Sequence, residues 1–323
     1  MKINSKFYIF LSLIVLALLL VACGNNDVEE QGDDSTTQNE NDGTEVADHT
    51  LTDAMGNEVT VPAEPKRVIA SYLEDYLVAL GVTPVAQWSV SNGIQEYLQE
   101  YLEEVPTIPH DLPLEAVASF KPDLLIMDSA SMVEGNKYAQ YSKIAPTYVI
   151  GSAQNNDWRD EFKEIGKVFG EEEKVEQVLA DYEEKAADAK ERIQTAIGDE
   201  SVAAIWLVSN TFYVVSDSLS SGDVLYNDLG LTTPNVVKEI SASTEANWSE
   251  ISLEKLAELD ADHIFLVNSD KGNGSEMLED PIWQNIPAVK NGNIYEYDAN
   301  TSWLYTGPIA NSQMIDHILS DLE

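Results

Sequence analysis

Residues 158–197 read WRDEFKEIGKVFGEEEKVEQVLADYEEKAADAKERIQTAI, and this stretch decides the fold. It is dense in Glu, Lys, Ala and Leu and free of proline, a composition that favours helix. Phe162, Ile165 and Phe169 recur at helical spacing, and so do Val175, Val178 and Tyr182. Gly170 falls between the two runs, so one helix or two consecutive helices fit the pattern. At about 1.5 Å per residue, a helix of about 25 residues reaches between two globular bodies.

Those bodies lie on either side of it. Upstream, 67–71, 84–88, 123–127 and 147–150 are short apolar runs of β type, separated by helical segments such as 75–80. Downstream, 201–207, 211–215, 263–267 and 294–297 form a second series, closed by a helical 309–322. Strands alternating with helices predict parallel sheet in an α/β fold. The two series also resemble each other. Leu80-Gly-Val-Thr-Pro84 has a counterpart in Leu229-Gly-Leu-Thr-Thr-Pro234. Glu115 stands eight residues before Asp123 and a strand, and Glu254 stands eight residues before Asp262 and a strand. Repetition in the same order predicts two lobes of related build.

The N-terminus sets the compartment. Lys2 and Lys6 precede an apolar run over 7–20, and Leu20-Val-Ala-Cys23 follows. Basic, apolar and small-residue segments in that order are a secretory signal, here 1–22. Cys23 is the chain's sole cysteine, so disulfides and thiolate metal sites are excluded. Residues 24–50 are polar with almost nothing to bury and read as a disordered tether. With nine acids in that tether and two lysines in the leader, 51–323 keeps 48 acids against 16 bases, a net charge of −32. So acidic a body excludes nucleic acid as a partner.

Enzyme motifs are missing. There is no Gly-x-Ser-x-Gly elbow, no Walker loop and no Gly-x-Gly-x-x-Gly; Gly272-Asn-Gly274 lacks the third glycine and the strand context. His49, His110, His263 and His317 are scattered, which argues against a directly bound metal ion.

The blocks Thr52-Asp-Ala-Met-Gly-Asn-Glu-Val59, Val61-Pro62, Pro65-Lys-Arg-Val68, Leu77-Val-Ala-Leu-Gly-Val-Thr-Pro84 and Lys121-Pro-Asp-Leu-Leu-Ile126 carry a family resemblance. So do Pro281-Ile-Trp283 and Ala288-Val-Lys-Asn-Gly292. From Leu51 to the C-terminus the chain resembles the class III periplasmic-binding-protein family, the substrate-binding lipoproteins of iron-siderophore, haem and cobalamin ABC importers. The resemblance implies two Rossmann-like lobes bridged by a single long α-helix: an N-terminal lobe over 51–157, the bridge region 158–197 and a C-terminal lobe over 198–323. It implies a ligand in the cleft, small closure motions and a monomer with no cofactor, iron entering only inside a bound chelate. Leu-Val-Ala-Cys resembles the lipobox, which implies a lipid on Cys23 and a membrane anchor on the extracytoplasmic face. By the same resemblance Glu115 and Glu254 dock, one per lobe, onto the permease dimer; first-turn glutamates also complement a helix dipole.

Ligands of open α/β sheets sit beyond the carboxyl ends of the strands. The residues there are Tyr72, Glu74 and Asp75, then Trp88, Ser89 and Asn92, then Asp128 and Ser129, and in the second half Trp206, Val208, Asn210 and Asn268. Trp248, Trp303 and Tyr305 fall in apparent loops, where aromatics are exposed to a ligand. The expected ligand contacts are therefore Tyr72, Trp88, Trp206, Asn210, Trp248, Trp303 and Tyr305, with Trp283 left to the core. Receptors for anionic catecholate and citrate chelates are expected to carry basic residues where Trp206, Val208 and Asn210 stand. The sequence thus favours a ferric hydroxamate, held by hydrogen bonds and aromatic walls. Lys137, Arg159, Lys238 and Lys271 are the bases whose distance from the cleft decides this.

Overall fold

The computed structural model describes residues 47–91, 93–152, 156–270 and 276–323. The leader, Cys23 and most of the expected tether lie outside these residues, as do Asn92, Lys271 and Gly272-Asn-Gly274. The first described element is a hairpin of β1 (His49–Thr52) and β2 (Glu58–Val61). Asp53 closes its turn by accepting the N–H groups of Met55 and Asn57. His49 and Thr50, expected in the tether, are strand residues paired with Val61 and Thr60. Their pairing follows from Val59 and Val61, which alternate along β2 and bury one face of the hairpin.

β3 (Val68–Ile69), β4 (Gln87–Val90), β5 (Gly93–Ile94), β6 (Thr107–Pro109), β7 (Leu124–Ser129) and β8 (Thr147–Gly151) build the N-terminal lobe. β3, β7 and β8 run parallel in that order. β4 pairs parallel with β6 and antiparallel with β5. The Val85 N–H donates to the Val68 carbonyl at 2.9 Å and joins the two ladders. For that reason the strand expected at 84–88 begins late: Pro84 has no N–H, Val85 bonds back to β3, and pairing with β6 starts at Gln87. α1 (Glu74–Ala79), α2 (Gln99–Leu102), α3 (Leu114–Ser119) and α4 (Lys137–Tyr141) complete the lobe. Both faces of β7 are covered: Leu125 and Met127 pack with Val117 and Tyr141, Leu124 and Ile126 with Leu77 and Phe162. Burial on both sides is why this strand reads as an unbroken apolar run.

The stretch 158–197 is two helices. α5 (Trp158–Phe169) starts at Asp157, whose carboxylate accepts the N–H groups of Arg159 and Asp160. It stops at Gly170, which adopts φ +65°, a left-handed conformation that favours glycine. α6 (Glu172–Ile197) is the 26-residue bridge, about 39 Å long at its ordinary rise. It buries Val175, Tyr182, Ala186, Ala189 and Ile193 along one stripe. Near one end, Lys174 Nζ donates to the Leu80 carbonyl. Sixteen residues on, the Lys190 side chain lies against Gly230. Leu80-Gly81 and Leu229-Gly230 are the repeated turns, and both glycines have positive φ, +75° and +65°. The bridge therefore meets the two lobes at equivalent points.

β9 (Val202–Val208), β10 (Thr211–Val215), β11 (Trp248–Glu250), β12 (His263–Asn268) and β13 (Ile294–Asp298) form one sheet in the order β11-β10-β9-β12-β13. β9, β12 and β13 are parallel, as expected. β10 and β11 are antiparallel, which the alternation rule did not foresee. Only Ser209 and Asn210 link β9 to β10, both at positive φ, and a two-residue turn can return a strand only antiparallel. Trp248, expected in a loop, opens β11. α7 (Asn235–Ser241), α8 (Leu253–Leu256), α9 (Pro281–Asn285) and α10 (Pro287–Asn291) cover one face, where Trp283 stacks on Phe212 at 4.9 Å. α11 (Pro308–Leu322) closes the chain and packs on both α6 and α1.

The repeat holds at the level of hydrogen bonds. Asp123 accepts the N–H groups of Lys66 and Arg67, just before β3. Asp262 accepts the N–H and hydroxyl of Ser201, just before β9. One apolar core runs without a break from Leu77 and Phe162 through Tyr182 and Ile315 to Val202 and Phe265. Two lobes sharing a core across their bridge have no thin hinge about which to swing.

Candidate ligand-binding cleft

Tyr72 occupies the turn between β3 and α1 with φ +71° and is 42 % exposed. Such a backbone costs a non-glycine residue about 1–2 kcal/mol, and strained turns of this kind concentrate at functional sites. The Tyr72 ring meets Trp88 edge-on at 5.3 Å and Tyr305 at 6.1 Å. Tyr97, absent from the expected set, completes the group 5.1 Å from Tyr305. Tyr72 and Trp88 come from the N-terminal lobe and Tyr305 from the segment just before α11, so the aromatic group spans the cleft.

Tyr72 and Tyr305 also line an open space of about 900 Å³, solvent at its mouth included. Tyr72, Tyr76, Asp128, Trp158 and Glu161 line one side, and Ser218, Ser220, Asp223, Asn247, Tyr305 and Thr306 the other. Among the described residues that line it, four are carboxylic acids (Asp128, Asp157, Glu161 and Asp223) and none is Lys, Arg or His. Glu161 is buried, accepting the Tyr76 hydroxyl at 2.7 Å and an Asn156 amide N–H at 3.0 Å. Burial first, and then the charge of Asp128, hold its carboxyl well above the usual range. Burial raises Asp128 as well. Two such neighbours hold a proton between them more readily than either holds a full charge.

Arg159 is absent from the lining and is neutralised beside it. The Arg159 guanidinium bonds to Glu183 and Asp228, reaches Asp223 at 3.4 Å and lies over the Trp158 ring at 4.4 Å. Lys137 and Lys238 are also absent from the lining. Glu74 is buried behind Trp88, whose N–H it accepts at 2.6 Å, and burial pushes its carboxyl up to about 8.

The structure divides the expected contacts. Tyr72 and Tyr305 line the cleft, and Trp88 stacks against Tyr72. Trp206 and Trp248 form a second aromatic group with Tyr213 on the face of the β9–β10–β11 ladder, at 5.4 and 6.1 Å from the Trp206 ring. The Trp206 indole N–H donates to Ser269. This group is outside the lining, although Asn247, the neighbour of Trp248, is part of it. Trp303 is a core residue: it is fully buried, stacked on Phe265 at 4.7 Å and packed against Tyr297. Asn210 is a turn residue whose positive φ suits Asn, and its N–H donates to Asp270. Of the cleft residues not singled out, Glu161 left a trace in the sequence, an acid on the apolar stripe of α5 beside Phe162 and Ile165.

Glu115 and Glu254 are exposed in the first turns of α3 and α8. Among the described residues no group of three or more His, Cys, Asp or Glu side chains could hold a metal ion. His263 is engaged with Glu200 and Tyr295, and His317 packs on Tyr297.

Comparison with known proteins agrees with this architecture. The model of the family described as "Periplasmic binding protein" matches residues 70–301. The iron(3+)-hydroxamate-binding protein FhuD of Bacillus subtilis (strain 168) is 30% identical over 326 residues, covering 99% of this chain and 98% of that protein. A FhuD fold-family periplasmic binding protein from Bacillus subtilis, a component of a ferrichrome ABC transporter, superposes with a TM-score of 0.71 at 28% identity, covering 84% of this chain and 99% of that one. FhuD2 of Staphylococcus aureus with bound ferrioxamine B does so with a TM-score of 0.68 at 26% identity, covering 79% and 98%. Two lobes on one long bridging helix, a cleft between them and a family match over most of its length place the chain in the periplasmic binding protein family.

Proposed function

We propose that this protein captures a neutral or cationic ferric hydroxamate in the cleft and delivers it to an ABC importer. One observation carries the choice of ligand: the lining is aromatic and acidic, with no cation among its described residues. A charge on an anionic chelate 5 Å from one lining carboxylate meets about 3 kcal/mol of repulsion at an effective dielectric of 20. Asp128 and Glu161 share a proton and Asp223 lies beside Arg159, so the lining carries less than four full charges. Even so, no lining cation offsets the negative charges of a ferric catecholate or ferric citrate, and a neutral or cationic hydroxamate needs none. The FhuD relative and the ferrioxamine B complex of FhuD2 support the same class. Cys23 serves as the lipidated anchor, and the exposed pair Glu115 and Glu254 as the permease contact, one in each lobe.

Titrating intrinsic Trp fluorescence with ferrioxamine B, ferrichrome, a ferric tri-catecholate, ferric citrate, haem and cobalamin tests the ligand. The hydroxamates quench at the lowest concentration, and the iron-free chelators bind more weakly because they are not preorganised. Tight binding of a tri-catecholate with no hydroxamate response overturns the ligand class. Glu115→Ala combined with Glu254→Ala abolishes ligand-dependent uptake in cells while quenching is unchanged; normal uptake removes the docking assignment.

A further inference from the structure

Asp75 is 1 % exposed on α1, and three donors converge on its carboxylate. The N–H groups of Ile309 and Ala310 donate to its two oxygens at 2.9 Å each, and the Tyr97 hydroxyl donates at 3.0 Å. Ile309 and Ala310 are in the first turn of α11, whose N-cap is Gly307, a residue with no side chain to offer. The cap that α11 lacks locally is supplied from the N-terminal lobe. Gly307 makes the approach possible. A Cβ there would stand 2.6 Å from the Asp75 carboxyl carbon, and its φ of +142° is one that side-chain-bearing residues rarely adopt. Just before Gly307 come Leu304, Tyr305 and Thr306, all lining the cleft. Asp75 thus holds both partners of the Tyr97–Tyr305 contact, Tyr97 by its hydroxyl and Tyr305 through the helix start that follows it.

We infer that Asp75 is a positioning residue for ligand capture: it clamps the segment bearing Tyr305 across the lobes, and so sets the aromatic wall of the cleft. This rests on the cleft being the ligand site. A carboxylate is required because two N–H donors and a hydroxyl point at one group, and an amide offers a single acceptor oxygen.

Asp75→Asn, close to isosteric, is the test, with Gly307→Ala as a second variant that leaves Asp75 in place and crowds it. In the ligand-free protein, amide exchange over 305–311 quickens about tenfold or more in either variant, while the β9 and β12 amides keep their protection. Unchanged exchange over 305–311 overturns the clamp. With ferrioxamine B as the probe, Asp75→Asn weakens binding by about tenfold to a hundredfold. In a Tyr305→Ala background the same substitution costs less than about threefold, because its effect passes through that ring. Equal losses in both backgrounds mean a merely structural role and overturn the inference. If ferrioxamine B fails to bind even the unaltered protein, the hydroxamate reading falls, and the exchange measurement alone decides the clamp.

Discussion

Asp123 and Asp262 perform the same task in the two lobes, each receiving the backbone that enters the lobe's first strand. The carboxyl ends of those strands share nothing. β3 runs into a strained Tyr72 and then the buried acids Glu74 and Asp75. β9 runs into a two-residue turn and folds back on itself as β10. On the other side of the cleft the polar residues are mostly hydroxyl and amide, Ser218, Ser220, Asn247 and Thr306, with Asp223 the one acid. The two halves match in the frame, where a change breaks strand placement, and differ at the strand ends, which border the candidate cleft. The lobes are alike in their frame and different at the candidate cleft.

The sharpest contrast within this pattern lies two residues apart. Trp303→Ala empties a fully buried site and should cost about 3–5 kcal/mol of stability. Tyr305→Ala removes a half-buried ring packed on Tyr72 and Tyr97 and should cost less stability than Trp303→Ala, yet weaken ferric hydroxamate binding by about 1–3 kcal/mol. A stable Trp303→Ala protein with impaired binding would return Trp303 to the cleft.

Glu74 distinguishes the N-terminal wall by pH. Its folded pKa, about 8, lies above the ordinary 4.5 because of burial. Between those values the folded chain keeps a proton that the unfolded chain has lost, so stability falls as pH rises through the window and levels off above it. Glu74→Gln should remove that part of the slope, matching the parent near pH 4 and exceeding it near pH 8 by on the order of 4 kcal/mol. Parallel stability–pH curves for the two proteins would show that Glu74 is charged in the fold.

The equivalence of the frame has its own test. Asp123→Ala and Asp262→Ala each remove a carboxylate that accepts donors at the start of a strand, and each should cost about 1–2 kcal/mol by chemical denaturation. A loss confined to one of them would end the equivalence. The smallest effect belongs to the bridge. Lys174→Met removes the bond to Leu80 and should cost about 1 kcal/mol. Lys190→Met should cost less than about 0.5 kcal/mol, since an exposed side chain resting on Gly230 contributes little.

Most of the fold was legible because it depends on local pattern. Continuous apolar runs marked β7, β8, β9 and β12, and Gly170 marked the break between α5 and α6. The spacing of Glu115 and Asp123, met again at Glu254 and Asp262, marked the repeat. Antiparallel β10 escaped because the cue was a Ser-Asn turn, weaker than Asn-Gly, and β11 because it is only three residues long.

The lining of the candidate cleft was legible only in part. Tyr72 and Tyr305 could be found because loop aromatics beside strand ends are candidates wherever the sheet places its ligand. Trp303 could not be told from Tyr305, since both follow β13 in the same short segment and only packing against Phe265 and Tyr297 separates them. By itself the sequence determined the class of fold, the two lobes and the bridge, because periodicity and turn chemistry act over a few residues. Tertiary structure alone decided that Arg159 is neutralised by Glu183 and Asp228, and that Asp75 reaches 234 residues along the chain to cap α11. Those outcomes depend on which side chains meet across the lobes, and burial and pairing between distant residues leave no mark in the order of the chain.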